Sequence, residues 1–194
     1  MKLLLLAALS LASAYAQETT APDWVLEGTA PWQARDSQAE WVFKDQLWIG
    51  GGWFQSFAEP PRDVWSSGDG KEWKLIEKNA PWLHSDLPMN ITFADKMWIM
   101  GGWYKGRLPG HSASNQVWAS GDGVKWEQVT ASAGWSPRLA AGLVEHRGRM
   151  WMLGGTENYY FGDDVSLKTT CGRRRIAKRG SRRRRKLLGH HAPT

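Results

Sequence analysis

Leu47-Trp48-Ile49-Gly50-Gly51-Gly52-Trp53 returns as Met97-Trp98-Ile99-Met100-Gly101-Gly102-Trp103, and again as Met150-Trp151-Met152-Leu153-Gly154-Gly155, the copies standing 50 and 53 residues apart. Asp63-Val64-Trp65-Ser66-Ser67-Gly68-Asp69-Gly70-Lys71-Glu72-Trp73 returns 53 residues on as Gln116-Val117-Trp118-Ala119-Ser120-Gly121-Asp122-Gly123-Val124-Lys125-Trp126. Pro31-Trp32, Pro81-Trp82 and Gly134-Trp135 form a third set. A chain that repeats at such a period builds one supersecondary unit several times, and buries between neighbouring units the apolar surface that one unit alone cannot hide.

The local signals inside each unit are those of short antiparallel strands. Apolar and aromatic runs of about five residues alternate with turn residues: Lys44-Asp45-Gln46, Ala94-Asp95-Lys96, His146-Arg147-Gly148, and the Gly-Asp-Gly sets at 68–70 and 121–123. No helical period of useful length runs between Glu18 and Lys168. The expected strands are 39–43, 47–51, 63–67 and 72–76, then 89–93, 97–101, 116–120 and 125–129, then 139–145 and 150–154 of an incomplete third unit.

The chain holds 14 Trp in 194 residues, and sheets stacked radially would use them as packing, each ring leaving water with roughly 150–250 Å². Residues 24–168, with a period near 50, Gly51-Gly52, Gly101-Gly102 and Gly154-Gly155 ending the second strand, and Trp73 and Trp126 opening the fourth, resemble a kelch-repeat β-propeller. The galactose-oxidase-like central domain type is the most similar. The resemblance implies an all-β, partial kelch-type propeller of about two and a half to three four-stranded blades around a central channel, with Trp24-Val25-Leu26 left over as an outer strand. In it Trp65, Trp118, Asp69 and Asp122 are structural. The segments 67–73 and 120–126 also resemble the Asp-box turns of sialidase-type propellers, with a spacing one residue short; there the Asp accepts turn amides and the Trp packs between blades.

The two ends differ from this body. Met1-Lys2, the apolar run Leu3 to Leu11 and Ala14-Tyr15-Ala16 read as a secretory signal peptide over 1–16, too short to span a bilayer, so the expected location is secreted, extracellular or periplasmic. The net charge is +6, yet the ten Lys/Arg after residue 168, where there is no Asp or Glu, leave 15 basic against 19 acidic side chains in 1–168, a net of −4. Cys171 is the one cysteine, so the body has no disulfide.

Where a third copy of the Asp-Val-Trp block belongs stands Thr169-Thr170-Cys171-Gly172-Arg173. Lys-Thr-Thr-Cys-Gly can be written AAG ACG ACG TGT GG, and one A added after the first codon gives Lys-Asn-Asp-Val-Trp. Followed onward, that frame turns Arg173-Arg174-Arg175-Ile176 into Ser-Ser-Ala-Asp, and it yields tryptophan at codons 171, 179 and 188, each 53 codons past Trp118, Trp126 or Trp135. The position after the hidden Asp cannot be Gly, a departure from the pattern. The reading is a frameshift, with 169–194 an out-of-frame, disordered basic tail and 17–168 the propeller fragment. A tail rich in arginine also fits nucleic acid or anionic membrane; the signal peptide argues against a nucleic-acid partner.

Catalytic groups are not evident. The copper centre of galactose oxidase requires tyrosines, histidines and a cysteine, and His84, His111 and His146 have no paired ligand spacing. Neither a metal nor another cofactor is expected. The loops joining strands 2–3 and 4–1 share one face and carry Trp53, Phe54, Trp103, Tyr104, Arg107, Trp135, Arg138, Tyr159 and Tyr160, with His111 in a long loop, a set suited to stacking on glycans or gripping extended peptides. The expected role is a protein- or carbohydrate-binding module with no catalysis of its own; the alternative is a fragment of a glycan-directed propeller enzyme, galactose-oxidase-like or sialidase-like. Asn90-Ile91-Thr92 matches a glycosylation sequon. Open blade edges imply self-association.

Overall fold

The computed structural model describes residues 24–158, 168 and 170–175, so the signal segment, Tyr159 and Tyr160 lie outside the described residues. Thirteen strands and no helix occur among the described residues. Sheet 1 contains β1 (Ala39–Phe43), β2 (Gln46–Gly50), β3 (Val64–Ser67) and β4 (Lys74–Glu77) in that order. Sheet 2 repeats the plan with β5 (Met89–Phe93), β6 (Lys96–Met100), β9 (Val117–Ser120) and β10 (Trp126–Thr130); a ribbon of β7 (Trp103–Tyr104) and β8 (Ser112–Ala113) rises from its long loop. Sheet 3 has β11 (Gly142–Glu145), β12 (Arg149–Leu153) and β13 (Cys171–Arg175). The paired strands are all antiparallel, an arrangement compatible with a propeller-like fold.

The strands fall close to their expected positions, and the offsets have causes. β4 and β10 begin later than expected because the preceding turn takes their first residues. Asp69 Oδ1 accepts the N–H groups of Lys71 and Glu72, both at 2.9 Å, while Ser67 Oγ accepts that of Gly70 at 2.8 Å. Asp122 and Ser120 repeat this with Val124, Lys125 and Gly123 at 2.9, 2.8 and 2.8 Å. In each turn the strand-opening indole donates to a turn carbonyl, Trp73 to Gly70 and Trp126 to Gly123, both at 3.1 Å. β13 reaches seven residues past Lys168, into the basic segment expected to be disordered: its backbone pairs with β12, Leu153 opposite Cys171 and Met152 opposite Gly172.

Neighbouring sheets are joined through repeated backbone bonds. Leu87 N donates to Ser37 O, and Ala140 N to Leu87 O, both at 3.0 Å, and Ser37, Leu87 and Ala140 hold a left-handed φ of 58°, 49° and 54° respectively. Gly52 N donates to Ser85 O at 2.7 Å and Gly102 N to Arg138 O at 2.9 Å. These contacts explain the diglycines: a Cβ on Gly51 would meet Ser85 O at 2.7 Å and one on Gly101 would meet Arg138 O at 2.5 Å, at φ of 69° and 64°. Side chains add to the joint. Trp41 Nε1 donates to Trp98 O at 3.0 Å, Thr92 Oγ1 to Val42 O at 2.9 Å, and Asn90 Nδ2 to Glu40 O. The nitrogen that a glycan on Asn90 would use is therefore engaged between sheets.

Two apolar cores result. One lies between sheets 1 and 2, from Ala39, Trp41, Phe43, Trp48, Trp82, Met97 and Ile99, with Trp118 and Trp126 packed on it. The other lies between sheets 2 and 3, from Met89, Trp98, Met100, Val117, Met150 and Met152, with Trp135 and Leu143 against it. A loop tryptophan caps a strand-opening tryptophan edge-on at successive units: Trp32 on Trp73 at 4.8 Å and Trp82 on Trp126 at 5.6 Å, both at 87°. Trp135 comes next in that series, and it lines a cavity of about 760 Å³ with Val117, Leu143, Met150, Met152 and Gly172.

Candidate functional site

The loop face places the expected binding residues in two groups. Trp103 is buried, donates its indole N–H to Gly106 O at 2.7 Å and stacks on His111 at 5.2 Å. Arg138 is buried as well, donating through Nη1 to Gly154 O at 2.8 Å and to Thr170 Oγ1 at 2.9 Å. Both side chains hold loops together and offer no surface. Trp53 is half-buried and joins Asp36 through a backbone bridge; Phe54 is half-buried beside it.

Tyr104 and Arg107 behave differently, because their loop docks on its counterpart from sheet 1. Arg107 N donates to Ser56 O at 2.8 Å, and Gly106, at φ 51°, passes so close to Ser56 that a Cβ would strike its backbone. This docking brings Tyr104 to Glu59, 45 residues away: the phenol donates to Glu59 Oε1 at 2.6 Å. Lys105 Nζ lies 3.9 Å from the same carboxylate oxygen and 5.3 Å from the Tyr104 ring centroid. His84, from the 4–1 loop of sheet 1, places its ring 5.7 Å from that of Tyr104 and its Nε2 3.1 Å from Ser112 Oγ. Phe57 stands 71% exposed on the rim, and Arg107 is exposed beside it.

The electrostatics of this cluster are set by burial and by one hydrogen bond. Burial lowers the His84 pKa to about 4, so its imidazole is neutral near neutral pH. The hydrogen bond to the Glu59 carboxylate, followed by burial and the negative charge of Glu59, holds the Tyr104 phenol above its ordinary value. The arrangement is a ring face bordered by a carboxylate, an ammonium and a neutral imidazole, which can donate and accept hydrogen bonds around a polyhydroxylated or peptide ligand.

The sequence pattern pointed to Tyr104 and Arg107, and it missed Glu59, His84 and Ser112. His84 stands two residues after Trp82, in the same class of loop as Trp135 and Arg138, and that place was its one available signal. Elsewhere, Asp63 pairs with Arg35 through Oδ1 at 2.5 Å and Oδ2 at 2.8 Å; burial raises its pKa, and the Arg35 and Trp65 hydrogen bonds outweigh this and leave it lowered. Among the described residues there is no group of three or more His, Cys, Asp or Glu able to hold a metal, and no helix long and apolar enough to cross a membrane. No protein-family model matches the chain, and no curated protein matches it.

Proposed function

We propose that the chain is a fragment of a secreted kelch-type propeller that acts as a binding module for a glycan or an extended peptide, gripped on the loop face around Tyr104. The supporting observation is the cluster itself: Tyr104, Glu59, Lys105 and His84 come from loops of two sheets and converge beside the exposed Phe57. Rigid scaffolds commonly carry recognition on such loops. The test is to present the purified chain to glycan and peptide arrays, then repeat the hits with Tyr104→Ala and Phe57→Ser. Selective binding lost in both variants, at unchanged melting temperature, is the expected result. Hits that neither variant weakens would refute the reading.

The frameshift belongs to the same proposal. Its support is the register of β13. Counting the added base, the restored frame puts Asp, Val and Trp at places 170, 171 and 172. Thr170 occupies the position that Asp63 holds in sheet 1: its Oγ1 accepts from Arg138 as Asp63 accepts from Arg35, and Gly154 N donates to its carbonyl at 3.0 Å as Gly51 N donates to that of Asp63 at 3.1 Å. Cys171 stands opposite Leu153 as Val64 stands opposite Gly50. The restored Trp would then take the place of Gly172, which lines the cavity beside Trp135. Sequencing the gene across codon 168 decides it: Asn-Asp-Val-Trp in a neighbouring frame is expected, and its absence overturns the reading.

A further inference from the structure

The first and last units are incomplete in opposite ways. Sheet 3 has its first three strands, with β13 at the edge and no fourth strand among the described residues. At the other end, Trp24-Val25-Leu26-Glu27, with Trp32 eight residues after its Trp, resembles Trp126-Glu127-Gln128-Val129 and Trp73-Lys74-Leu75-Ile76, which have Trp135 and Trp82 nine residues after theirs. In the structure this segment forms no strand and joins no sheet: Trp24 is 103% exposed, Val25 74% and Leu26 88%.

We infer that residues 24–27 of one copy add to β13 of a second copy as the missing fourth strand, with Trp24 seated edge-on against Trp135 in the cavity between sheets 2 and 3. Three observations select this occupant. The series Trp32 on Trp73 and Trp82 on Trp126 leaves Trp135 as the next cap, and the ring homologous to Trp73 and Trp126 that is free of a core is Trp24. The room is adequate, about 760 Å³ with a largely apolar lining. The charges also match: residues 17–30 carry Glu18, Asp23 and Glu27, the last paired with Lys71 Nζ at 2.7 Å on its own chain, and no Lys or Arg, while β13 carries Arg173, Arg174 and Arg175. By analogy with β10 on β9, where Glu127 faces Ala119 and Gln128 faces Trp118, Val25 would face Arg173 and Leu26 would face Gly172.

The same chain is a poor donor to itself. Its residues after Phe161 contain no Trp, Tyr or Phe to fill the cavity, and sheet 2 stands between its own residues 24–27 and sheet 3, with β5 touching β1 on one side and β11 on the other. Between copies the contact is heterologous, strand into edge, so it builds rings if the rotation closes and filaments if it does not.

Sedimentation of residues 17–194 tests this with two single variants, Trp24→Ala, which spoils the donor, and Trp135→Ala, which spoils the acceptor. The parent is expected to associate, and each variant alone to associate at least roughly 30-fold more weakly, as for a central aromatic anchor. Mixing the two restores one competent junction and gives a 1:1 dimer. Circular dichroism of both variants should match the parent, since neither ring lies in a closed core. A monomeric parent, association untouched by Trp24→Ala, or variants that fail to complement each other would each overturn the inference.

Discussion

The two junctions between sheets share a backbone frame and differ in the side chains that fill and tie it, Trp41, Asn90 and Thr92 bonding across the first. Between sheets 1 and 2, Trp82 is 2% exposed because Trp126 of the following unit stands edge-on to it, and Trp126 is in turn held by Trp41 at 5.8 Å. Between sheets 2 and 3, the matching Trp135 has the Arg138 guanidinium at 6.0 Å and a cavity where the next ring belongs. The backbone bonds survive in both, Leu87 to Ser37 and Ala140 to Leu87. Backbone pairing sets the position of each sheet, and the tryptophan of the following unit closes the space.

The sharpest way to break this comparison is to remove the loop ring at each junction. Trp82→Ala deletes a buried ring from a filled core and should cost about 3–5 kcal/mol of stability in urea titration. Trp135→Ala, beside a cavity, should cost under about 1 kcal/mol when association is suppressed by dilution. Equal losses would mean that the second junction is as closed as the first.

Acid offers a second contrast, of about 3 kcal/mol at full effect. His84 lies at the first junction with a folded pKa of about 4 against an ordinary 6.5, so the unfolded chain takes up the proton more readily. Its contribution is intact above pH 6.5 and is lost as pH falls toward 4. Denaturation midpoints across that range should drop, and His84→Gln should flatten the drop; an unchanged slope in the variant would remove His84 from the account.

Smaller again is the arginine pair. Arg35→Ala leaves the Asp63 carboxylate in a partly buried site without its partner and should cost about 2 kcal/mol. Arg138→Ala breaks bonds to a neutral carbonyl and hydroxyl and should cost about 1 kcal/mol. Thermal melts that rank them the other way would contradict the assignment of Thr170 to the Asp63 position. The smallest effects are expected at the turns: Asp69→Ala and Asp122→Ala should lower the melting temperature slightly and equally, since each carboxylate accepts two turn amides in the same geometry.

Much of this fold was legible in the chain because its repeat is local. A diglycine that cannot carry a Cβ, an Asp that ties two amides and a Trp that opens a strand each act within a few residues, so Gly51, Asp69 and Trp73 announce themselves. The short ribbon of β7 and β8 escaped notice because two-residue strands leave no period to read. The site was only half visible for a related reason. Trp103 and Tyr104 are adjacent aromatics, and which of them turns inward depends on Gly106 docking against Ser56, a contact 50 residues apart in the chain. Glu59 and His84 join Tyr104 through the same docking. β13 was unexpected because residues 169–194 read as an out-of-frame, disordered basic tail; the edge of β12 supplies backbone partners whatever side chains the segment carries.

Oxidation of tryptophan by a small soluble reagent, followed residue by residue by mass spectrometry, tests the central claim most directly when applied to the dilute Trp24→Ala chain. Trp135 should react many times faster than Trp82, its space being open while that of Trp82 is filled. Equal protection of both rings would contradict the account.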